Sequence, residues 1–358
     1  MSTKADPHPI LFIPGPVEVD AELREVMAMP LIGHRSKAFL AEATALLPKL
    51  QALFQTRAHA LFENAPATAL MEASIRNLVA DRVLHLTNGA FSERWAKIST
   101  SCGRTAEVLA VEWGEAVTPE ALEQKLATSA PYDAVTITHS ETSTGVLSPL
   151  RELAAVVRER QPQAMILADV VTSLAGAEVR FDDWGIDCAF AGTQKCLALP
   201  PGLVVYAVSE RALARAKTMP GRGWLLDFAR AQEGLQKAET LATPCVPLVF
   251  ALSRQLDRIG TETLERRWAR HRQMQDVTMA WCEAQGYEPF VAPALRSPTV
   301  STIRASGRTV TDLIAAAKTK GFTMGNGYGK LKDQTFRIGH MGDHTVARVQ
   351  ALLASLAT

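Results

Sequence analysis

Between about residues 59 and 208, short apolar runs alternate with stretches in which apolar residues recur three and four apart. The runs are HALFEN (59–64), RVLHLT (82–87), AEVLAVE (106–112), DAVTITH (133–139), AMILADV (164–170), CAFAG (188–192) and LVVYAV (203–208). Their length and β-branched content predict strands, while the spacing between them, clearest over 68–80 and 150–160, predicts helices. Such alternation predicts an α/β fold, a mostly parallel seven-stranded sheet between helices. Ligands of such sheets bind beyond the carboxyl ends of the strands, so functional residues are expected just after each run.

The texture changes after about residue 247. A long helical stretch rich in Arg and Glu is predicted over 248–281, followed by a strand (TVSTIRA, 299–305), a helix over 310–320, two β-like pieces at FTMG and TFRIG, and a closing helix. This predicts a large domain over 18–247 and a smaller C-terminal α+β domain over 248–358 that includes the long connecting helix. Residues 1–17, with their rigid PGP turn, are expected to pack near the interface of the two.

Composition narrows the class. The 358 residues are 47% hydrophobic and 21% charged with a formal net charge of +1, so no global field points to nucleic acid or an anionic membrane. The five cysteines are scattered, without a CxxC pair, which favours reduced thiols over disulfides or zinc. No apolar run approaches the roughly 20 residues a membrane span requires. The N-terminus lacks the apolar core of a signal peptide. A cytoplasmic protein is expected.

Candidate chemistry lies at the strand ends. Asp169 closes a strongly apolar run; by itself it reads as a cap or turn residue. Lys195, in AGTQKCLALPPG, comes 26 residues later, one βα step on, and by itself reads as a snorkelling surface lysine. An acid and an amine on successive strand ends are what pyridoxal phosphate needs: the amine forms a Schiff base, and the acid keeps the pyridine nitrogen protonated. A phosphate cup would form at a helix N-terminus. The segment ENAPATALMEA supplies one, with Thr68 either binding phosphate or capping the helix. Phe91 in NGAFSERW could stack on a ring or be plain core. HSETSTGVLSPL (139–150) clusters hydroxyls that could serve a ligand or one another. Arg337 in FRIGHMGD needs an acidic partner or a carboxylate ligand. His340 and His344 have metal-pair spacing, but no Glu follows in HExxH fashion, and metal is set aside.

In order along the chain, PGP at 14–16, NGAFSERW, HSETSTGVLSPL, ADVVTSLAG, GTQKCLALPPG, ATPCVP and FRIGHMGD resemble the class V aminotransferases, fold type I pyridoxal-phosphate enzymes that include the alanine/serine–glyoxylate aminotransferases. The resemblance spans nearly the whole chain. It implies a fold type I transferase with pyridoxal 5'-phosphate as cofactor. Lys195 would then carry the cofactor and shuttle the proton, Asp169 would hold the pyridine nitrogen, and Phe91 would stack on the ring. Thr142 would contact the ring, and Thr68, flanked by Ala67 and Ala69, would bind phosphate together with Gln194. Thr243 would reach the phosphate of a neighbouring subunit, implying a homodimer with shared active sites. Arg337 would take the substrate α-carboxylate, with the backbone around Gly15 lining the same pocket.

Two positions depart from the family pattern. The usual glycine-rich cup is Pro66-Ala67-Thr68-Ala69, where the proline removes an amide donor. Thr240 stands where a tyrosine is common.

The resemblance implies amino acid and 2-oxo acid substrates, with serine or alanine as donor and glyoxylate or pyruvate as acceptor. His34 and Arg35, in IGHRSKAF, resemble a stretch of phosphoserine aminotransferases and keep phosphoserine/2-oxoglutarate as the runner-up. HSETSTGVLSP is also similar to 2-aminoethylphosphonate–pyruvate aminotransferase. No cysteine sits in a mobile loop between the long helix and RIGHMG in the manner of a cysteine desulfurase. A non-catalytic protein on the same scaffold would not need Asp169, Lys195 and Arg337 together.

Overall fold

The computed structural model describes residues 8–237 and 239–356. Its main sheet has seven strands in the order His59–Asn64, Leu203–Val208, Cys188–Gly192, Met165–Asp169, Ala134–Thr138, Arg82–Thr87 and Thr105–Ala110. Leu203–Val208 runs antiparallel to both neighbours, and the other pairs are parallel. Ala134–Thr138, Met165–Asp169 and Cys188–Gly192 are buried at every position, as strands covered on both faces must be. Thr105–Ala110, at the edge, leaves every second or third side chain exposed. The run predicted at 106–112 is shifted accordingly, because its last residues leave the ladder.

Helices connect the strands and close both faces. Their starts follow local chemistry: Ser36, Thr118 and Ser209 each accept a hydrogen bond from the backbone three residues on. The helix Ala90–Ser101 buries Trp95, whose indole donates to the Met71 carbonyl at 3.0 Å and meets Phe190 edge-on at 5.2 Å.

The long helix expected over 248–281 is two helices, Val246–Glu262 and Leu264–Gln285. Thr263 separates them at φ +69° and caps both, its amide donating to the Ile259 carbonyl and its hydroxyl accepting from the Arg266 amide. No proline marks this break.

A second sheet has the order Ile10–Phe12, Phe322–Asn326, Thr335–Gly339 and Val300–Arg304. Its N-terminal strand is parallel to Phe322–Asn326, with Phe12 opposite Met324, and the remaining pairs are antiparallel. Of the segment 1–17 expected near the interface, 1–7 lie outside the described residues, Ile10–Phe12 is a strand of this sheet, and Pro14–Pro16 lead on towards the main one. No described helix is long and apolar enough to cross a membrane.

Truncation of Trp95 tests the packing behind the site. Trp95→Ala is expected to cost about 3–5 kcal/mol, seen as a lowered urea midpoint. A change below about 1 kcal/mol would contradict the packing described.

Candidate active site

Lys195 follows the end of the Cys188–Gly192 strand and Asp169 ends its neighbour, paired in register with Phe190 and Thr138. The two sit on adjacent strand ends by topology. Arg337 arrives from the other sheet, on Thr335–Gly339. All three are buried.

The Lys195 ammonium donates to the Pro14 carbonyl. Burial, reinforced by the charge of Arg337, pulls its pKa down to about 8. Gly15 makes the approach possible: at φ +96°, any Cβ there would lie 2.7–2.9 Å from the Lys195 side chain. Asp169 accepts from the Val171 amide at 2.9 Å, and burial raises its pKa to about 7. No described cation is in ion-pair contact with it. Arg337 donates through Nε to the Asn326 carbonyl at 2.9 Å and through Nη1 to the Thr142 carbonyl at 3.0 Å. Its Nη2 has no protein partner among the described residues, and burial lowers its pKa to about 10, so it stays charged at neutral pH.

These groups fit pyridoxal 5'-phosphate. Asp169 is a buried carboxylate lacking a cation, Lys195 is a desolvated amine, and the helix Ala67–Leu78 begins just after the His59–Asn64 strand, two places along the sheet from Cys188–Gly192. Thr68 does not cap that helix; Pro66 holds the cap position without a side-chain bond, and Thr68 is exposed one residue inside it. Ala67 is buried and Ala69 half-buried.

The Thr142 and Thr172 hydroxyls bond at 2.5 Å beside Asp169 and Cys196. Gln194 is half-buried and its carbonyl accepts from Val17. Thr243 is exposed, its carbonyl bonded by Asn64 at the end of the first sheet strand. His34 and Arg35 occupy the turn before the Lys37–Phe54 helix, and no described side-chain hydrogen bond joins them to Lys195 or Arg337. His340 and His344 do not converge: one bonds Ser301 and the other the Leu11 carbonyl.

Phe91 brings in residues that sequence reasoning missed. Its ring stacks on Tyr328 at 5.4 Å, and the Arg94 guanidinium lies 4.7 Å from the same ring while donating to the Tyr328 hydroxyl at 3.0 Å. The Arg94–Tyr328 bond is too short for the two to lie on opposite faces of Phe91, so they share one side of the ring, which also packs against the main apolar core. Tyr328 also lies 5.6 Å from the Arg337 guanidinium. Its one signal in the sequence is an aromatic residue between glycines in NGYGK. His139 was missed as well: it is buried, bonds Ser173 at 3.0 Å, and burial lowers its pKa to about 4, so it is neutral at neutral pH.

An amine, an acid and a guanidinium gathered between two sheets define a pyridoxal-phosphate-dependent transferase of amino groups. The chain matches the Aminotransferase class-V family model over residues 68–328. It is 35% identical to an uncharacterized aminotransferase of Methanocaldococcus jannaschii, with 97% of this chain and 91% of the relative covered. Identity to the L-aspartate–glyoxylate aminotransferase of Paracoccus denitrificans is 32%, covering 97% and 89%. Among solved structures, an alanine–glyoxylate aminotransferase from Nostoc superposes with a TM-score of 0.93 at 27% identity, covering 99% and 96%. The chain belongs to the class V aminotransferases and is a pyridoxal-phosphate-dependent transaminase of fold type I.

In cofactor-free protein, the Lys195 amine is expected to lose its proton near pH 8. Amine-directed labelling across pH, read by peptide mapping, should show half-maximal modification there. A half-point near the ~10.4 of an ordinary lysine would contradict the burial described.

Proposed function

We propose that this transaminase moves the amino group of a small amino acid, serine or alanine, to glyoxylate or pyruvate in a ping-pong cycle. The observation that carries the reading is the burial of Lys195, Asp169 and Arg337 around one junction. The relatives' names support it, since glyoxylate is shared by the Paracoccus and Nostoc proteins. Aspartate is a second donor, favoured by the name of the Paracoccus relative.

Bound pyridoxal 5'-phosphate supplies an electron sink for the carbanion left when the substrate α-proton departs. Asp169 holds the pyridine nitrogen in its protonated form, which in turn neutralises a carboxylate that burial disfavours. Lys195, with its lowered pKa, would take the α-proton from the substrate Cα on Nζ as a neutral amine and deliver that same proton to C4′ of the cofactor. Arg337 presents its free edge to the α-carboxylate and fixes the Cα–H bond towards Lys195. Phe91 stacks on the ring from the side opposite Tyr328, and the amide end of the Ala67–Leu78 helix, with Thr68 and Gln194, holds the phosphate. Thr243 reaches the phosphate of a second subunit, and the working form is a homodimer. Phosphoserine as donor would have drawn on Arg35, which is exposed in its turn.

Mixing the yellow enzyme with single amino acids tests the donor. Serine or alanine should bleach the cofactor absorbance, and bleaching by aspartate alone selects the second donor. Bleaching by phosphoserine and glutamate, with none by these three, would overturn the proposal. Lys195→Ala should bind cofactor yet lose ~10²–10⁴-fold in turnover. Wild-type turnover by that variant would remove Lys195 from its role.

A further inference from the structure

The helix that carries Phe91 begins with a residue that cannot cap it. Gly89 holds the cap position of Ala90–Ser101 and has no side chain to offer the first-turn amides. Those amides are met from another part of the chain. The hairpin formed by Ser140–Glu141 and Val146–Leu147 pushes the Glu141 side chain under the helix end. The Glu141 carboxylate accepts from the Phe91 amide at 3.1 Å, the Ser92 amide at 3.0 Å and the Ser92 hydroxyl at 3.1 Å. Its other oxygen accepts from the Ser143 amide at 3.1 Å and the Ser143 hydroxyl at 2.7 Å, and that hydroxyl in turn accepts from Ala90.

Glu141 is fully buried, and no described Lys, Arg or His forms an ion pair with it. It is ringed by neutral donors aimed at it and placed at the positive end of a helix. The fit is tight: a Cβ on Gly89 would lie 2.3 Å from Glu141 Cγ. The next residue, Thr142, offers the carbonyl that takes Arg337 Nη1. One turn thus fixes the backbone of Phe91 and the guanidinium of Arg337.

We infer that Glu141 is a positioning residue that sets the ring-stacking Phe91 and the carboxylate-binding Arg337 relative to each other. The inference rests on the roles proposed above for Phe91 and Arg337.

Glu141→Gln keeps the size of the side chain but turns an amide nitrogen towards hydrogen-bond donors. Cofactor-free E141Q is expected to bind pyridoxal 5'-phosphate about tenfold more weakly than wild type, with KM for the amino donor rising about as much. kcat should fall by less than KM rises, because the proton-moving amine is left in place. Ser143→Ala removes one donor to the carboxylate and should weaken cofactor and donor binding by a smaller factor. Should E141Q fail to fold, Glu141→Asp decides: retraction by one methylene should weaken both in the same sense.

Wild-type cofactor affinity and KM in E141Q, or in E141D, would overturn the inference. So would a fall in thermal stability of the cofactor-free E141Q protein with an unchanged KM, the pattern of a purely structural role. These results leave the proposed function standing. Wild-type enzyme whose cofactor no amino acid bleaches would instead overturn that reading, and the inference with it.

Discussion

Burial of Lys195, Asp169 and Arg337 at one junction between two sheets is the constraint around which the chain is arranged. Each would be better solvated on the surface, and none of the three forms an ion pair with another among the described contacts. The unmet charge shows as displaced titrations: the amine comes down to about 8, the acid goes up to about 7, and the guanidinium falls to about 10. A cofactor with a cationic ring nitrogen and a substrate with a carboxylate complete what the fold leaves open. The free protein is therefore held in a polar arrangement that only its ligands satisfy.

Holding that arrangement takes both sheets. Asp169 and Lys195 come from neighbouring strand ends, while Arg337 and the chain leading to Pro14 come from the second sheet. Arg267, almost fully buried, ties the halves together. It donates to the Cys196 carbonyl beside the lysine at 2.8 Å, to Asp343 at 2.8 Å and to Glu262 at 2.8 Å. Arg270 adds bonds to Glu262 and to the carbonyls of Gly342 and His344. The lysine loop is thus braced by the Leu264–Gln285 helix as well as by its own sheet.

Much of this was legible in the residues. The strands His59–Asn64, Arg82–Thr87, Cys188–Gly192 and Leu203–Val208 have the bounds their apolar runs suggest, because strands of a sheet covered by helices on both faces are largely apolar segments with clear ends. The fold class followed from alternation, and Asp169 and Lys195 from their places at successive strand ends; the βα step expected between them lacks its helix, since 170–187 holds only turns and loop. The break at Thr263 was hidden, since a positive φ at a threonine leaves no trace in periodicity. Ile10–Phe12 is three residues long, too short for a pattern to declare it a strand. Thr68 looked like a cap because its type suits that job, yet Pro66 takes the position. Glu141, Tyr328 and Arg94 escaped notice for another reason: their importance lies in contacts across 50 residues or more of sequence, which no local pattern encodes.

The central claim is that the buried amine of Lys195 is where the cofactor attaches. Holo-protein reduced with borohydride and digested should carry the cofactor's mass on the peptide containing Lys195, with the yellow absorbance lost in proportion. Label on another lysine, or absorbance that survives reduction, would contradict the account.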